Sequence, residues 1–364
     1  MTTTSALDPD RFMHAVWGTT EFDSSSPTHA VDDAAPAIFT WDYEKGARPQ
    51  LSRLYEKAKG AQWNAETDLP WDTDVDPEAL AGIATAGFRA LTDGLPEGSP
   101  LQRWSDADWI RFGIETQRFA ISQFLHGEQG ALLVTAKIVE SVPWIDAKFY
   151  GATQVMDEAR HVEVFAKYLD TKLEGAYPIN NDLRSLLDAL MADERWDLSY
   201  LGMQIMVEGL ALAAFGLMRT ITPDPLLEQL LRYVMADEAR HVAFGVVSLA
   251  EVYDGLTAAE IADRQAFAFA TAEALQGRLR QQEVFERLGV DHPETLELLA
   301  NNPMQQMYQQ MLFSKIVPNL KKIGLLDAGD GWLRQRFGEL GILHFETAAD
   351  TSADYEEFAL TASP

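Results

Sequence analysis

The chain has 364 residues, 47% of them hydrophobic, which is enough to bury a large core. Its formal net charge of −27 disfavours binding to nucleic acid or to an anionic membrane, because both partners require clustered Lys and Arg side chains. The longest apolar run, Gly209 to Met218, is too short to span a bilayer, and no secretory signal follows Met1. With no cysteine either, we expect a cytoplasmic protein without disulfides.

The first hundred residues contain few regular signals. Residues 1–40 are rich in Thr, Ser, Asp, Ala and Pro without periodicity, which is typical of an irregular arm. Trp41 to Trp71 is predicted as a helix followed by an extended stretch that packs across the rest of the protein. Pro77 to Leu91 has helical spacing, with Asp76 as its N-cap. We therefore predict an N-terminal arm with flanking helices over residues 1–104.

Four long helical patterns fill residues 105–255. The first two are expected to meet at a turn around Pro143, and the last two at a turn around Pro223. A short crossover helix over Asp182–Ala192 is expected to link the two hairpins. The four long helices are predicted over Asp106–Glu140, Ile145–Leu173, Arg195–Thr220 and Pro225–Tyr253.

One five-residue sequence, Asp-Glu-Ala-Arg-His, occurs twice. Its copies begin at Asp157 and at Asp237, which is 237 − 157 = 80 residues later. At about 100° per residue, the Glu and the His of each copy project from nearly the same side of a helix. Such a pair can offer two ligands to a metal ion, although a single Glu-x-x-His is usually only part of a solvated helix.

Each copy has a partner carboxylate 30 residues earlier. Glu128 precedes Glu158, and Glu208 precedes Glu238, both inside apolar helical stretches. A carboxylate in such a stretch is costly unless it is paired, hydrogen-bonded or bound to a metal. Because a proline lies midway in each interval, folding into hairpins brings the two Glu residues of each hairpin to one level, roughly 20 Å from the turn.

One Glu from each of two helices and a Glu-x-x-His from each of two others form the ligand set of the ferritin-like di-iron and di-manganese carboxylate proteins. Over about residues 105–255 the chain resembles that superfamily. The resemblance implies an all-α fold, a ferritin-like four-helix bundle with additional flanking helices. The implied metal ligands are Glu128, Glu158, His161, Glu208, Glu238 and His241.

The donor set indicates the cofactor. Four carboxylates balance two divalent cations, and mixed oxygen and imidazole ligands suit iron or manganese. A structural zinc site would be a single tetrahedral set, often with thiolates. We expect two iron ions, with a mixed manganese and iron pair or two manganese ions as alternatives.

Two further residues of each motif are expected to support the ligands. Asp157 and Asp237 lie on the ligand face one turn away from a His, so each can accept the free ring N–H of a ligand His and fix its tautomer. Arg160 and Arg240 point about 200° from the neighbouring Glu. We expect them to tie the helices together rather than to touch metal.

The Asp before each Glu, the Arg before each His and the extra helices resemble the oxygen-activating branch of the superfamily. That branch includes multicomponent monooxygenase hydroxylase subunits, acyl-carrier desaturases, N-oxygenases and relatives of the ribonucleotide reductase small subunit. The resemblance implies a di-iron oxidase or oxygenase with dioxygen as co-substrate and a small or chain-like organic substrate. We also expect a homodimer and an electron donor such as a ferredoxin or a reductase, because no Gly-rich nucleotide loop is present.

Three positions depart from particular relatives. Phe165 stands where reductase small subunits place a radical Tyr, four residues after the first ligand His. Leu212 replaces the Thr usual in monooxygenase hydroxylase subunits. Val234 stands where N-oxygenases with a seventh ligand have a His, which argues against that subtype.

An apolar substrate pocket is expected beside the Glu residues of the first and third bundle helices. Neighbours one helical turn away would line it, with a single amide as polar group, although each is also an ordinary candidate for bundle core. The predicted lining residues are Phe124, Leu132, Gln204, Ala211, Leu212 and Phe215.

Beyond the bundle, residues 256–345 are predicted as C-terminal helices packed on it. Thr257 to Leu288 begins with a capping box of Thr257 and Glu260. Residues 346–364 are expected to form an acidic, flexible tail. The remaining helices are predicted over Pro293–Ala300, Pro303–Ile323 and Gly331–Leu340.

Two other functions share the bundle and its ligands. One is a ferroxidase or iron-storage protein, and the other is a di-manganese catalase. Storage subunits are usually little more than the bundle, whereas more than half of this chain lies outside residues 105–255. That excess favours an enzyme with a substrate pocket and docking surfaces.

Overall fold

The computed structural model describes residues 26–277 and 281–349, and every regular element in those two ranges is helical. This confirms the predicted all-α class. The helices are α1 (Pro49–Gly60), α2 (Pro77–Arg89), α3 (Asp106–Ser141), α4 (Ile145–Lys172), α5 (Asn181–Ala192), α6 (Trp196–Ile221), α7 (Pro225–Tyr253), α8 (Ala258–Gly277), α9 (Gln282–Arg287), α10 (Pro293–Ala300), α11 (Pro303–Met311), α12 (Val317–Lys322) and α13 (Trp332–Glu339).

Helices α3, α4, α6 and α7 form the predicted four-helix bundle. Each hairpin is closed by a three-residue turn between its helices, one containing Pro143 and the other Pro223. Two of the four bundle helices, α3 and α7, have a side-chain cap at their start. Ser105 and Asp108 form a capping box at α3, and the Asp224 side chain accepts a hydrogen bond from the Leu226 N–H at α7.

The flanking helices share the hydrophobic core of the bundle. Leu51 and Leu54 of α1 belong to the same buried cluster as Val134 and Ile138 of α3. Leu320, on α12, joins this cluster as well. The hydrophobic packing is continuous across residues 104/105 and 255/256, so it does not divide the chain at those points. The domain boundaries proposed there stay predictions.

Helix α6 is not a regular α-helix along its whole length. Tyr200–Val207 is π-helical, and the α-helical part resumes at Glu208. Such π-helical turns are rare and are often found at functional sites. The helical pattern alone had predicted an uninterrupted helix here.

Helix α6 is also apolar enough to pass a length and composition test for a membrane span. It has 26 residues, and 72% of its most apolar stretch is buried inside the protein. A buried core helix of a bundle passes the same test. Its apolar character is thus accounted for by its place in the core.

The C-terminal region departs from prediction in three places. The helix predicted over Thr257–Leu288 is two helices, α8 and α9, although its capping box of Thr257 and Glu260 is present as expected. The helix predicted over Pro303–Ile323 is broken by a 3₁₀ turn. Glu346, assigned to the tail, lies in another 3₁₀ turn and pairs with Arg334 at 2.7 Å. Residues 350–364 of the predicted tail lie outside the described residues.

Candidate metal centre

The six predicted ligands meet in the middle of the bundle, and all of them are buried. They fall into two groups whose donor atoms lie within 4.8 Å of one another. Glu158 and Glu238 belong to both groups and so lie between them. The first group is completed by Glu128 and His161, and the second by Glu208 and His241.

The distances within each group match adjacent ligands on one ion. His161 Nδ1 lies 3.2 Å from Glu128 Oε2, 3.3 Å from Glu158 Oε2 and 3.0 Å from Glu238 Oε1. His241 Nδ1 lies 3.1 Å from Glu158 Oε1 and 3.4 Å from Glu238 Oε2. Two ligands at right angles on an ion with bonds of about 2.1 Å are about 3 Å apart. The spacing therefore fits two neighbouring cations.

The hydrogen bonding of these groups is incomplete in the way a metal site requires. Glu158 Oε2, Glu208 Oε2, both carboxylate oxygens of Glu238 and His241 Nδ1 are buried without a hydrogen-bond partner among the described residues. Burying such groups without partners is costly. Two divalent cations would balance the four carboxylates, and the oxygen and nitrogen donors suit iron or manganese. The residues thus fit a dimetal cofactor.

Burial and mutual repulsion set the protonation of the metal-free cluster. Burial and the neighbouring Glu238 raise the pKa of both Glu128 and Glu208 well above its usual range. Burial opposes charge on His161, but Glu128 and other carboxylates outweigh it and hold the His161 pKa well above normal. Protons therefore occupy the cluster at neutral pH and must leave when cations bind.

The two motifs support each other's histidines. His161 Nε2 lies 3.2 Å from Asp237 Oδ2, and His241 Nε2 lies 3.4 Å from Asp157 Oδ2. Each Asp therefore accepts from the His of the other motif, not from the His four residues after it. Because a carboxylate can only accept, each Nε2 carries a proton, and Nδ1 is the ring nitrogen that can bind metal once any proton on it has left.

The two arginines join the same network. Arg160 donates to Asp157 at 2.5 Å on its own helix and to Asp237 at 3.1 Å on α7. Arg240 donates to Asp237 and lies 3.6 Å from Asp157. Although burial opposes its charge, Asp237 has a pKa well below normal, chiefly because Arg240 is adjacent. The arginines link α4 to α7, as the sequence indicated.

Two residues of the N-terminal region reach this network, and sequence reasoning had assigned that region no chemistry. Gln62 donates to Asp157 at 3.0 Å and accepts from Arg160 at 2.9 Å. Trp63 Nε1 donates to Asp237 at 2.8 Å, and its ring lies 4.6 Å from the Arg160 guanidinium. The aromatic content of the segment was its only signal.

Gln154 is another residue that the sequence analysis did not single out. Its Nε2 donates to Glu158 Oε1 at 3.0 Å and to Glu208 Oε1 at 2.8 Å. It lies four residues before Glu158, on the ligand face of α4. That spacing is the signal that could have identified it.

The position that holds a radical Tyr in reductase small subunits holds Phe165 in this chain. Phe165 stacks on Phe215 with ring centroids 5.7 Å apart. Two tyrosines lie elsewhere in the bundle, and one of them, Tyr168, donates to the helix-capping Asp224 at 2.6 Å. Tyr200 packs edge-on against Phe244, with ring centroids 4.9 Å apart.

A small cavity adjoins the cluster. It has a volume of about 20 Å³, which is room for about one water molecule. Three of the predicted lining residues, Phe124, Ala211 and Phe215, line it beside the ligands Glu128, Glu208 and Glu238, together with four that were not predicted: Gln123, Gly127, Ala131 and Val207.

The other three predicted lining residues lie elsewhere. Leu132 is half-buried on α3 and does not line the cavity. Leu212 is packed into an apolar cluster that also contains Phe165. Gln204 lies in the π-helical part of α6 and packs against Gly245. Because glycine has no side chain, it leaves space for Cβ and Cγ of Gln204. The π-helical turns change the direction in which Gln204 points.

A protein-family model described as "P-aminobenzoate N-oxygenase AurF" matches residues 131–324, more than half of the chain. The match contains five of the six clustered ligands and begins three residues after Glu128. A comparison with curated proteins gives no match.

Solved structures of R2-like ligand-binding oxidases have the same fold. One, with an aerobically reconstituted metal cofactor after photoconversion, is 16% identical with a TM-score of 0.50, covering 77% of this chain and 94% of that one. Two variants with anaerobically reconstituted Mn/Fe cofactors both have TM-scores of 0.51. The first is 18% identical over 78% of this chain and 93% of that one. The second is 17% identical over 77% and 95%.

The family match and the dimetal cluster support one class of activity. The chain is a dioxygen-activating oxidoreductase with a dimetal cofactor, and it uses a small organic substrate. The expected enzyme class is thereby confirmed. This chain belongs to the AurF family of N-oxygenases.

Proposed function

We propose that this enzyme adds one oxygen atom from dioxygen to the nitrogen of a small, uncharged amine. The observation that carries the proposal is a buried cluster of carboxylate and imidazole donors directly beside a cavity with a mainly apolar lining. Nitrogen as the oxidised atom is supported by the description of the family model. The substrate class is argued from the side chains that line the cavity, which at about 20 Å³ holds about one water molecule and must widen to admit an amine.

We assign the six clustered residues as metal ligands. Position A is formed by Glu128 and His161, and position B by Glu208 and His241. Glu158 and Glu238 belong to both donor groups and would contribute ligand atoms to both positions. Support comes from the spacing of about 3 Å between donor atoms and from the buried oxygens without partners.

In this reaction the protein would hold the metal ions, orient their ligands and shield the site from water. When bound, two reduced metal ions would supply electrons that activate dioxygen. Asp157 and Asp237 orient the His rings, and Arg160 and Arg240 hold these carboxylates in place. In the overall reaction the amine N–H becomes N–OH, and the second oxygen atom leaves as water with two electrons and two protons from a donor.

The cavity lining favours a substrate without negative charge. Phe124 and Phe215 meet edge to face 4.7 Å apart, and the other neutral lining side chains are mostly small and apolar. A carboxylate such as that of p-aminobenzoate would need a cation, and the lining contains neither Lys nor Arg. Gln123 is the only uncharged polar side chain in the lining.

Val234 supports a six-ligand site. It is buried four residues before Glu238, where N-oxygenases with a seventh ligand have a His. An isopropyl group cannot bind metal. We therefore propose that this chain oxygenates its substrate with the six ligands alone, unlike that subtype.

The electron donor and the assembly are proposals too. A ferredoxin or a reductase would supply electrons, because the chain contains no Gly-rich nucleotide loop. A homodimer is supported by two exposed apolar side chains on one hairpin, Leu133 at 51% exposure and Met156 at 59%. A cytoplasmic location rests on the sequence argument alone.

The test is a turnover assay on protein loaded anaerobically with ferrous iron. Aniline and p-aminobenzoate would be supplied separately with a chemical reductant and ¹⁸O₂, and products analysed by mass spectrometry. We expect aniline to gain one labelled oxygen on nitrogen at a higher rate than p-aminobenzoate. Hydroxylation on carbon only, or faster reaction of the carboxylate-bearing substrate, would overturn the proposal.

Filling the cavity provides a matched variant. Ala211→Phe places a large ring beside Phe215 and replaces none of the proposed metal ligands. It should lower aniline turnover at least tenfold and leave two metals per chain. Ala152→Phe, on the exposed face of α4, adds the same ring away from the cavity and should leave turnover unchanged.

A further inference from the structure

The two halves of the metal centre differ at one buried position. Residues 80 apart on α4 and α7 repeat the ligands and their supporting residues, as in Glu158 and Glu238. The position four residues before each of these Glu residues does not repeat. It is Gln154 on α4 and Val234 on α7, and both side chains are fully buried.

Gln154 acts on position B and on the shared Glu158. Its amide donates to Glu208 Oε1 at 2.8 Å and to Glu158 Oε1 at 3.0 Å. Glu128 is the equivalent of Glu208 at position A, and its hydrogen bond among the described residues is to His161. Val234 lies in an apolar cluster and has no donor to offer. Within residues 26–277 and 281–349, only position B therefore has an amide on its terminal carboxylate.

The metal-free geometry of the two positions differs accordingly. At position A, Glu128 lies 3.2 Å from His161 Nδ1, so the terminal carboxylate and the imidazole already face each other. At position B, Glu208 is hydrogen-bonded to Gln154, while the carboxylates within 4 Å of His241 Nδ1 are Glu158 and Glu238. A carboxylate bound to an amide N–H has less charge available for a cation.

We infer that Gln154 is a positioning residue that makes the two metal positions unequal, so that position A fills before position B. This inference rests on the proposed ligand assignment. Gln154 holds Glu208 away from His241 in the metal-free centre, and a cation at position B must compete with the amide for that carboxylate. At position A the partner of Glu128 is His161, which is itself a proposed ligand of that position, so no side chain outside the ligand set competes for the carboxylate.

The test is a titration of the metal-free full-length protein with manganese(II) under anaerobic conditions. Calorimetry gives the two stepwise affinities, and electron paramagnetic resonance distinguishes one isolated ion from a coupled pair. We expect wild type to bind two ions with affinities at least tenfold apart. Gln154→Met keeps the volume and removes the donor, and should reduce that ratio by about tenfold by strengthening the second step.

Val234→Gln is the reciprocal variant. It keeps the inference testable even if Gln154→Met does not fold. It places an amide on the position A side and should weaken the first step, again narrowing the ratio. An unchanged ratio in both variants, or a weaker second step in Gln154→Met, would overturn the inference while leaving the proposed function standing. Wild type that binds no manganese or iron would overturn both.

Discussion

His161 hydrogen-bonds Asp237, a residue of the other motif, with 3.2 Å between Nε2 and Oδ2. The reverse pair, His241 and Asp157, is 3.4 Å apart. Each imidazole is thus oriented by a carboxylate on the opposite hairpin. Neither hairpin can orient its own ligand His alone, so the interface between the two hairpins is part of the metal centre.

Asp237→Asn should therefore disturb His161 more than His241, although Asp237 and His241 share a motif. The amide keeps the size of the side chain but loses its charge, and losses of about 10–100-fold in metal affinity are typical for such changes. Nitrogen NMR of labelled histidines, with metal titration, checks this. Asp157→Asn is the mirror control, and a larger effect of Asp237→Asn on His241 would contradict the crossed arrangement.

Glu158→Ala should reduce bound metal from two ions to fewer than one per chain, because Glu158 belongs to both donor groups. Glu128→Ala removes a donor from one group and should leave about one ion. Metal content by mass spectrometry after anaerobic loading measures both. Glu163→Ala removes an exposed carboxylate from the same helix and should retain two ions. Full metal content in Glu158→Ala would refute the ligand assignment.

Trp63→Phe should lower the free energy of unfolding by about 1–3 kcal/mol, because a buried charged acceptor loses its N–H donor. The lost bond is the 2.8 Å contact to Asp237. Urea denaturation of metal-free protein measures the change. Trp41→Phe, at a ring that is 75% exposed, should change stability by less than about 0.5 kcal/mol. Equal effects of the two changes would argue against a stabilising role of the hydrogen bond from Trp63 to Asp237.

Gly245→Ala should destabilise the protein by about 1–3 kcal/mol through overpacking. An added Cβ would lie 2.6 Å from Gln204 Cβ, which is close to the backbone of α6 and cannot easily move aside. Gly82→Ala, where a Cβ would meet nothing within 4 Å, is the matched control and should be neutral or stabilising. Thermal unfolding distinguishes them, and a neutral Gly245→Ala would contradict the close packing.

His126 should contribute a pH dependence to stability. Burial lowers its pKa, although the bond of its Nε2 to the Tyr177 carbonyl at 2.9 Å opposes this. The unfolded chain therefore binds a proton more readily, below a pH of about 6.5. The stability that neutral His126 provides is complete above that pH and is lost as the pH falls through the lower folded pKa.

His126→Gln tests this dependence. The amide can still donate to Tyr177, but it does not titrate. Between pH 7 and pH 5.5 the wild type should lose more stability than the variant, as measured by urea denaturation at matched ionic strength. Parallel curves for the two proteins would show that His126 is equally easy to protonate in both states.

The bundle and its six clustered residues could be predicted because local rules specify them. Helical periodicity, the Pro143 and Pro223 turns and the Glu-x-x-His spacing all act within a few turns of chain. The crossed pairing of His161 with Asp237 could not be predicted in the same way. It depends on how the two hairpins pack, and an Asp four residues before a His was compatible with either partner.

Features that depend on distant packing or backbone irregularity were missed. The π-helical turns before Glu208 leave no mark in an apolar sequence, and they move Gln204 away from its expected place. Trp63 and Gln62 reach the centre from a segment with no ligand spacing of its own. The size of the cavity depends on side-chain packing, so neither Leu132 nor Leu212 could be eliminated in advance.

The hydrogen bond between Trp63 and Asp237 has a consequence for biosynthesis. Trp63 and Asp237 are 174 residues apart in the chain, so Trp63 leaves the ribosome long before its acceptor exists. At translation rates of about 5–20 residues per second, that delay is roughly 10–35 seconds. During this time the indole can only make provisional contacts, and the centre can close only when the last bundle helix emerges.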